Sequence, residues 1–165
     1  MRSGIGPEGH LRELGIPIRR ALPGVGQRLM DHPSIALASF LKPSARVQNN
    51  LTRRHMNLAM RYSSNIGGAP AGDMFVVGTS KNSWHKVGEQ IGAFLVFVNK
   101  TFSETGEVKL KSPNWSDVPS VDFNLLSDKR DLDRLMDSIR RLAPLYSDPA
   151  MQSVASNPFP AAYSD

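Results

Sequence analysis

The sequence predicts an α+β fold, an antiparallel β-sheet with helices packed on one face, and three stretches carry that expectation. Ile91 to Val98 is almost continuously apolar, as a strand covered on both faces should be. Glu107-Val108-Lys109-Leu110-Lys111 alternates polar and apolar residues with the period of a half-exposed strand. Leu132, Leu135, Met136, Ile139 and Leu142 recur at helical spacing and form one apolar stripe.

Taken in order, Pro7 suits the start of a short helix through Leu11 and Leu14, and Gly15 can close it. Two prolines and two glycines between Pro17 and Gly26 then enforce a shaped loop. Ile35 to Phe40 reads as a strand ended by Lys42-Pro43-Ser44. Asn49 or Asn50 is placed to cap a helix carrying Leu51, His55, Leu58, Ala59 and Tyr62 on one side. Ser63 to Gly72 is loop in composition, and Met74 to Val77 resumes an apolar strand. The strand at Ile91 is expected to form a hairpin with the alternating stretch, turning near Ser103 to Gly106. A short strand at Val121 to Phe123 precedes the last helix. Asp128 and Asp131 are spaced there like a capping box, and Pro144 should end or kink the helix. The tail from Asn157 is expected to add no closing element.

The chain has 165 residues, 40% of them hydrophobic, which is enough for a real core. No apolar run is long enough to cross a bilayer and the opening has no signal-peptide core, so a cytoplasmic protein is expected. The absence of cysteine removes disulfides, thiolate nucleophiles and cysteine-based metal sites. A net charge of +5 raises the possibility of an acidic partner. The basic residues are dispersed among acids without aromatic interleaving, so no nucleic-acid partner is expected.

Four histidines, His10, His32, His55 and His85, show no metal-ligand spacing, and no metal site is expected. His10 reads as a surface residue, and His55 as a core or interface residue of its helix. Trp84-His85 sits in a polar loop that either lines a pocket or is simply solvated. Asp31-His32-Pro33 sets a carboxylate beside an imidazole after a glycine-rich loop, compatible with a functional group or with local capping at a domain boundary. Neither Ser3-Gly4-Ile5-Gly6 nor Gly24-Val25-Gly26 completes G-x-G-x-x-G between a strand and a helix.

Ser3-Gly4-Ile5-Gly6-Pro7, His10-Leu11, Leu14-Gly15-Ile16-Pro17, Leu22-Pro23-Gly24-Val25-Gly26, Leu29 and Asp31-His32-Pro33 follow one another in an order and spacing that resemble the glucose-methanol-choline flavoenzymes. A second block is similar to the start of that family's C-terminal region: Gly106 to Leu110, Ser112, Pro119, Val121 to Asn124, Leu126, Asp131-Leu132 and Leu135. The family commonly has Asn where this chain has Arg28.

The resemblance implies an oxidoreductase that uses FAD to convert a small alcohol to an aldehyde or ketone by hydride transfer. It also implies that the flavin-binding glycine loop and the catalytic histidine lie outside this sequence, so no catalytic residue is assigned here. The chain is then a substrate-binding-domain fragment, inactive alone and holding no FAD alone. Residues 1–33 would link it to the missing flavin domain, and 34–165 would form the substrate-binding domain, incomplete at its end. Ser3, Gly4, Gly6, Asp31 and His32 would lie near the flavin, and Trp84 and His85 would line the substrate pocket. Exposed domain interface would favour self-association. The rival expectation is a cofactor-free binding or interaction module that kept the substrate-domain fold.

Overall fold

The structure, a computed structural model, describes residues 1–47, 55–81 and 87–159. In chain order its elements are β1 (Ile5–Gly6), α1 (Glu8–Glu13), β2 (Arg20–Ala21), β3 (Gln27–Leu29), β4 (Ser34–Leu41), β5 (Met56–Tyr62), β6 (Met74–Thr79), β7 (Ile91–Val98), β8 (Gly106–Lys109), β9 (Ser120–Asp122), α2 (Lys129–Leu142), α3 (Pro149–Val154) and β10 (Ala155–Phe159). They group into two compact units, Met1–Asp31 with Thr101–Asp128, and His32–Lys100 with Lys129–Asp165. The boundary expected at residue 33 follows the chain; by contact, residues 101–128 group with the N-terminal stretch.

The first unit holds α1, the parallel pair β1 and β2, and an antiparallel sheet in the order β3-β8-β9. Leu11 and Ile16 are its buried apolar residues. His10 is not a surface residue: its Nε2 accepts the Leu110 backbone N–H at 3.2 Å, which ties α1 to the end of β8. The register of β3 against β8 shifts between Gln27 and Leu29, and the intervening Arg28 has φ +57°, the left-handed conformation of a bulge.

The second unit is a five-stranded antiparallel sheet in the order β10-β4-β7-β6-β5. Register explains which side is core. Leu37 pairs with Phe94, Ile35 with Val96, Val96 with Val76 and Met74 with Val98, so these side chains share one face. Leu135 and Leu142 of α2 pack on it, with Ile139, Ala143 and Tyr146 around them. Each fully buried apolar side chain there contributes about 1.5–3 kcal/mol. Tyr146 adds a hydrogen bond from its hydroxyl to the Leu37 carbonyl (2.7 Å) and an edge-on contact with Phe94 at 6.0 Å between ring centroids.

The helix expected up to Tyr62 is instead the strand β5, as far as the described residues show; Asn49, Asn50 and Leu51 lie outside them. The apolar pair Leu58 and Tyr62 is four residues apart, a separation that suits one face of a helix and one face of a strand equally. Pairing with β6 decides for the strand. The expected hairpin between β7 and β8 does not form either, because β8 pairs with β3 and β9 in the other unit. The tail does add a closing element: β10 pairs with β4 as an edge strand, where Pro158 is tolerated. As expected, α2 ends at Leu142, and a 3-10 turn carries Pro144.

The apolar stripe of α2 is only half right. Leu132 and Met136 are 41% and 42% exposed, while Asp131, Arg134 and Ser138 are 0% exposed. The reason is a buried ion network. Arg134 Nη1 lies 3.1 Å from Asp73 Oδ2, and Arg134 Nη2 binds Asp131 Oδ1. Arg134 Nη1 also donates to the Lys100 carbonyl at 2.9 Å. Asp73 is completed by the Ser64 backbone N–H (2.8 Å) and hydroxyl (2.7 Å). Beside it the Tyr62 hydroxyl donates to Ser138 Oγ at 2.7 Å, which donates on to the Arg134 carbonyl. The network rotates α2 so that polar residues, rather than Leu132 and Met136, meet the sheet.

Arg134→Met should lower unfolding stability by about 3–5 kcal/mol, because it leaves two buried carboxylates uncompensated. Chemical denaturation checks this, and adding Asp73→Asn and Asp131→Asn should recover most of the loss. Burial pushes the Asp73 carboxyl up, but its two hydrogen bonds from Ser64 and the Arg134 guanidinium outweigh burial and hold it below the usual value of 3.8. A carboxyl lowered in the folded state stabilises fully above its unfolded value and loses that contribution as pH falls through the folded one. The melting temperature should therefore drop below about pH 4, and Asp73→Asn should flatten part of that drop.

Candidate functional site

Two features place chemistry-bearing residues: the sheet face opposite α2, and the segment from Ser3 to Pro33. In β4, β6 and β7 the residues that alternate with the core point to the opposite face. The register aligns them in rows, Ala36-Leu95-Val77-Ala59 beside Ser34-Phe97-Phe75-Arg61, followed by Ala38-Ala93-Thr79. These side chains are half-buried or exposed. The surface is largely apolar, with four alanines and two aromatic rings. Phe75 and Phe97 are cross-strand partners with centroids 6.3 Å apart and planes tilted by 40°. At its edge Arg61 is exposed, its Nε donating to the Gly72 carbonyl at 2.7 Å.

Ser3 is exposed, whereas Gly4 and Gly6 are buried. Gly4 has φ +80°, and a Cβ there would lie 2.3 Å from the Pro17 carbonyl oxygen. Its own carbonyl accepts the backbone N–H groups of Arg19 (2.8 Å) and Arg20 (3.1 Å). The Gly6 carbonyl accepts the Leu22 N–H at 2.8 Å. The space a side chain would need at Gly4 is thus taken by the chain itself, so it is not a cradle for a cofactor.

Asp31 closes the first unit and His32 opens the second. Both are exposed. His32 Nδ1 lies 2.9 Å from the Val98 carbonyl oxygen, so Nδ1 donates and, in the neutral ring, Nε2 carries the lone pair. Pro33, buried, accepts the Val98 N–H at 2.9 Å. His32-Pro33 therefore fastens the start of β4 to the end of β7. Trp84 and His85 lie outside the described residues. His55 precedes β5 outside any regular element, and its carbonyl accepts the Ser80 N–H. Among the described residues no group of three His, Asp or Glu side chains has metal-binding geometry, and no helix is long and apolar enough to cross a membrane.

Sequence reasoning missed the ring pair and Arg61, because it read residues 56–62 as helix and could not align β6 with β7. Phe75 and Phe97, alternating with Met74, Val76, Val96 and Val98, were the available signal.

The fold matches solved structures of formate oxidase, at a TM-score of 0.83 and 18% identity over 97% of this chain and 37% of that one. It also matches pyridoxine 4-oxidase from Mesorbium loti, at 0.75 and 18% over 95% of this chain and 31% of that one. At such identities the likeness shows the fold. In sequence the chain is 37% identical over 155 residues to a 5-(hydroxymethyl)furfural oxidase of Methylovorus sp. (strain MP688), covering 92% of this chain and 28% of that protein. It is 27% identical to an oxygen-dependent choline dehydrogenase of Yersinia pseudotuberculosis, covering 30% of that protein. No protein-family model matches the chain. In sequence and in fold the chain is similar to glucose-methanol-choline oxidoreductases. The chain spans about 30% of the length of the curated relatives it matches. Of these two, the furfural oxidase shares more of its residues.

Arg28 sits in a left-handed bulge position, which asparagine tolerates better than arginine. It also pairs with Glu104 on the surface. In a Glu104→Ala background, which removes that pair, Arg28→Asn should raise stability by about 0.5–1 kcal/mol by thermal melting.

Proposed function

We propose that this chain is the substrate-domain portion of an FAD-dependent oxidoreductase that converts an alcohol to an aldehyde or ketone. The observation that carries the reading is the largely apolar sheet face opposite α2, whose described side chains are half-buried or exposed. It would serve as a wall of the alcohol pocket, to which Trp84 and His85 would also contribute. The reaction removes a hydride from the carbinol carbon and a proton from its hydroxyl, and a flavin bound by the remainder of such a protein supplies the acceptor. The role of this chain is to shape the pocket and exclude water from the reacting carbon.

Ser3, Gly4, Gly6, Asp31 and His32 would lie near the flavin, as structural residues rather than catalysts. No described residue is assigned as the base. Trp115 and Val118 are 85% and 74% exposed, and Val121, Phe123 and Leu125 are also exposed in the first unit. Exposure of this kind supports a portion of a larger protein over a self-sufficient binding module, and would promote self-association of the chain alone.

The test is flavin binding and reduction. The chain alone should show no saturable quenching of FAD fluorescence. The full-length flavin-loaded protein should lose its oxidised-flavin absorbance when mixed anaerobically with its alcohol substrate. A loaded protein whose flavin no alcohol reduces contradicts the reading.

A further inference from the structure

We propose that a second copy of the protein docks on the outer edge of β5, pairing antiparallel with its own β5 so that two five-stranded sheets join into one; this does not depend on the alcohol reading. Three observations carry it. The first is that the two edges of the sheet differ. β10 closes one edge with Pro158 and a register shift between Ala155 and Pro158, features that discourage a further strand from adding on. β5 forms the other edge, and among the described residues no strand pairs with its outer side. It holds no proline over Met56–Tyr62. Its register shift lies at its start, between Met56 and Leu58, and Leu58 to Tyr62 pair with β6 without interruption.

The second is what that edge shows to solvent. Met56, Leu58, Ala59 and Met60 are all exposed. Leu58 lies opposite Gly78 and Met60 opposite Val76, so both stand on the α2 side of the sheet, yet the helix leaves them uncovered. An open apolar edge is a template for another strand. The third is the match of the strand to itself. An antiparallel pair of identical strands is two-fold symmetric. With Ala59 at its centre, each Leu58 stands opposite the other copy's Met60, and the four apolar side chains cover one another. The charged residue of β5 is Arg61. Its two copies fall roughly 14 Å apart along the strands, beyond the screening length of about 8 Å in physiological salt. A partner of different sequence is ordinarily selected by a pattern of charges or pockets, and a run of Met, Leu, Ala and Met carries no such pattern.

The experiment uses the full-length protein, with sedimentation velocity over a range of concentrations and hydrogen exchange of the β5 amides. Leu58→Lys and Met60→Lys bring charge into the pair at sites that are exposed in the single copy, so an unchanged melting temperature serves as the folding control. Ala59→Cys sets a thiol on the two-fold axis, and Ser156→Cys sets one on the β10 edge as the comparison. The expected result is a wild-type dimer whose β5 amides lose protection on dilution. Each lysine variant should raise the dimer dissociation constant by about tenfold or more. Mild oxidation should link Ala59→Cys, and not Ser156→Cys, into a covalent dimer. A protein that stays monomeric overturns the proposal, and protected β5 amides in that monomer assign the edge to a strand of the same polypeptide. A dimer that both lysine variants leave unchanged, with no link through Ala59→Cys, places the contact elsewhere and overturns it as well.

Discussion

The second unit depends on one interaction, the charge network in which Arg134 bridges Asp73 and Asp131, all three fully buried. Three charges withdrawn from water destabilise a fold unless every one is paired and hydrogen-bonded. Here the pairing joins three places distant in sequence: the start of β6, the end of β7 through the Lys100 carbonyl, and the first half of α2. Ser64 extends the network into the loop before β6. Tyr62 and Ser138 extend it to β5. A helix held by apolar packing alone could roll along its axis at modest cost, whereas one held by a bidentate guanidinium has a single rotational setting.

That setting has a functional consequence. With α2 fixed on one face, the core forms from Leu37, Met74, Val76, Val96 and Val98. The alternate residues of the same strands are committed to the other face, since strand side chains alternate. Phe75 and Phe97 are therefore presented on the face away from α2. His32 and Pro33 hold the same end of β7 that the network holds through Lys100. The proposed pocket wall thus rests on a rigid sheet rather than on loops, as a surface that must orient a substrate requires.

Much of this fold was legible in the residues, for identifiable reasons. Ile91 to Val98 reads as a strand because apolar residues fill both faces, and α2 because Leu135 and Leu142 recur at helical spacing before Pro144. Residues 56–62 misled because apolar residues four apart satisfy both periodicities, and only the partner strand resolves them. The β7–β8 hairpin was expected from adjacency, yet the chain leaves one unit for the other between them, which local sequence does not encode. Asp131 and Arg134 at i, i+3 look like an ordinary surface ion pair, and their burial follows from Asp73, some sixty residues earlier. The ring pair was illegible for the same reason: cross-strand register joins Phe75 to Phe97, and no local pattern states it. The family resemblance, by contrast, rests on short glycine-rich stretches whose backbone demands are visible one residue at a time, as Gly4 shows.

The central claim is that the sheet face carrying Phe75 and Phe97 is the wall against which the alcohol is oxidised. A crystal structure of the full-length protein with flavin and a non-reactive alcohol analogue tests it most directly. The account predicts that the analogue lies against Phe75 and Phe97, between this face and the flavin ring. An analogue found on the α2 side of the sheet would contradict it.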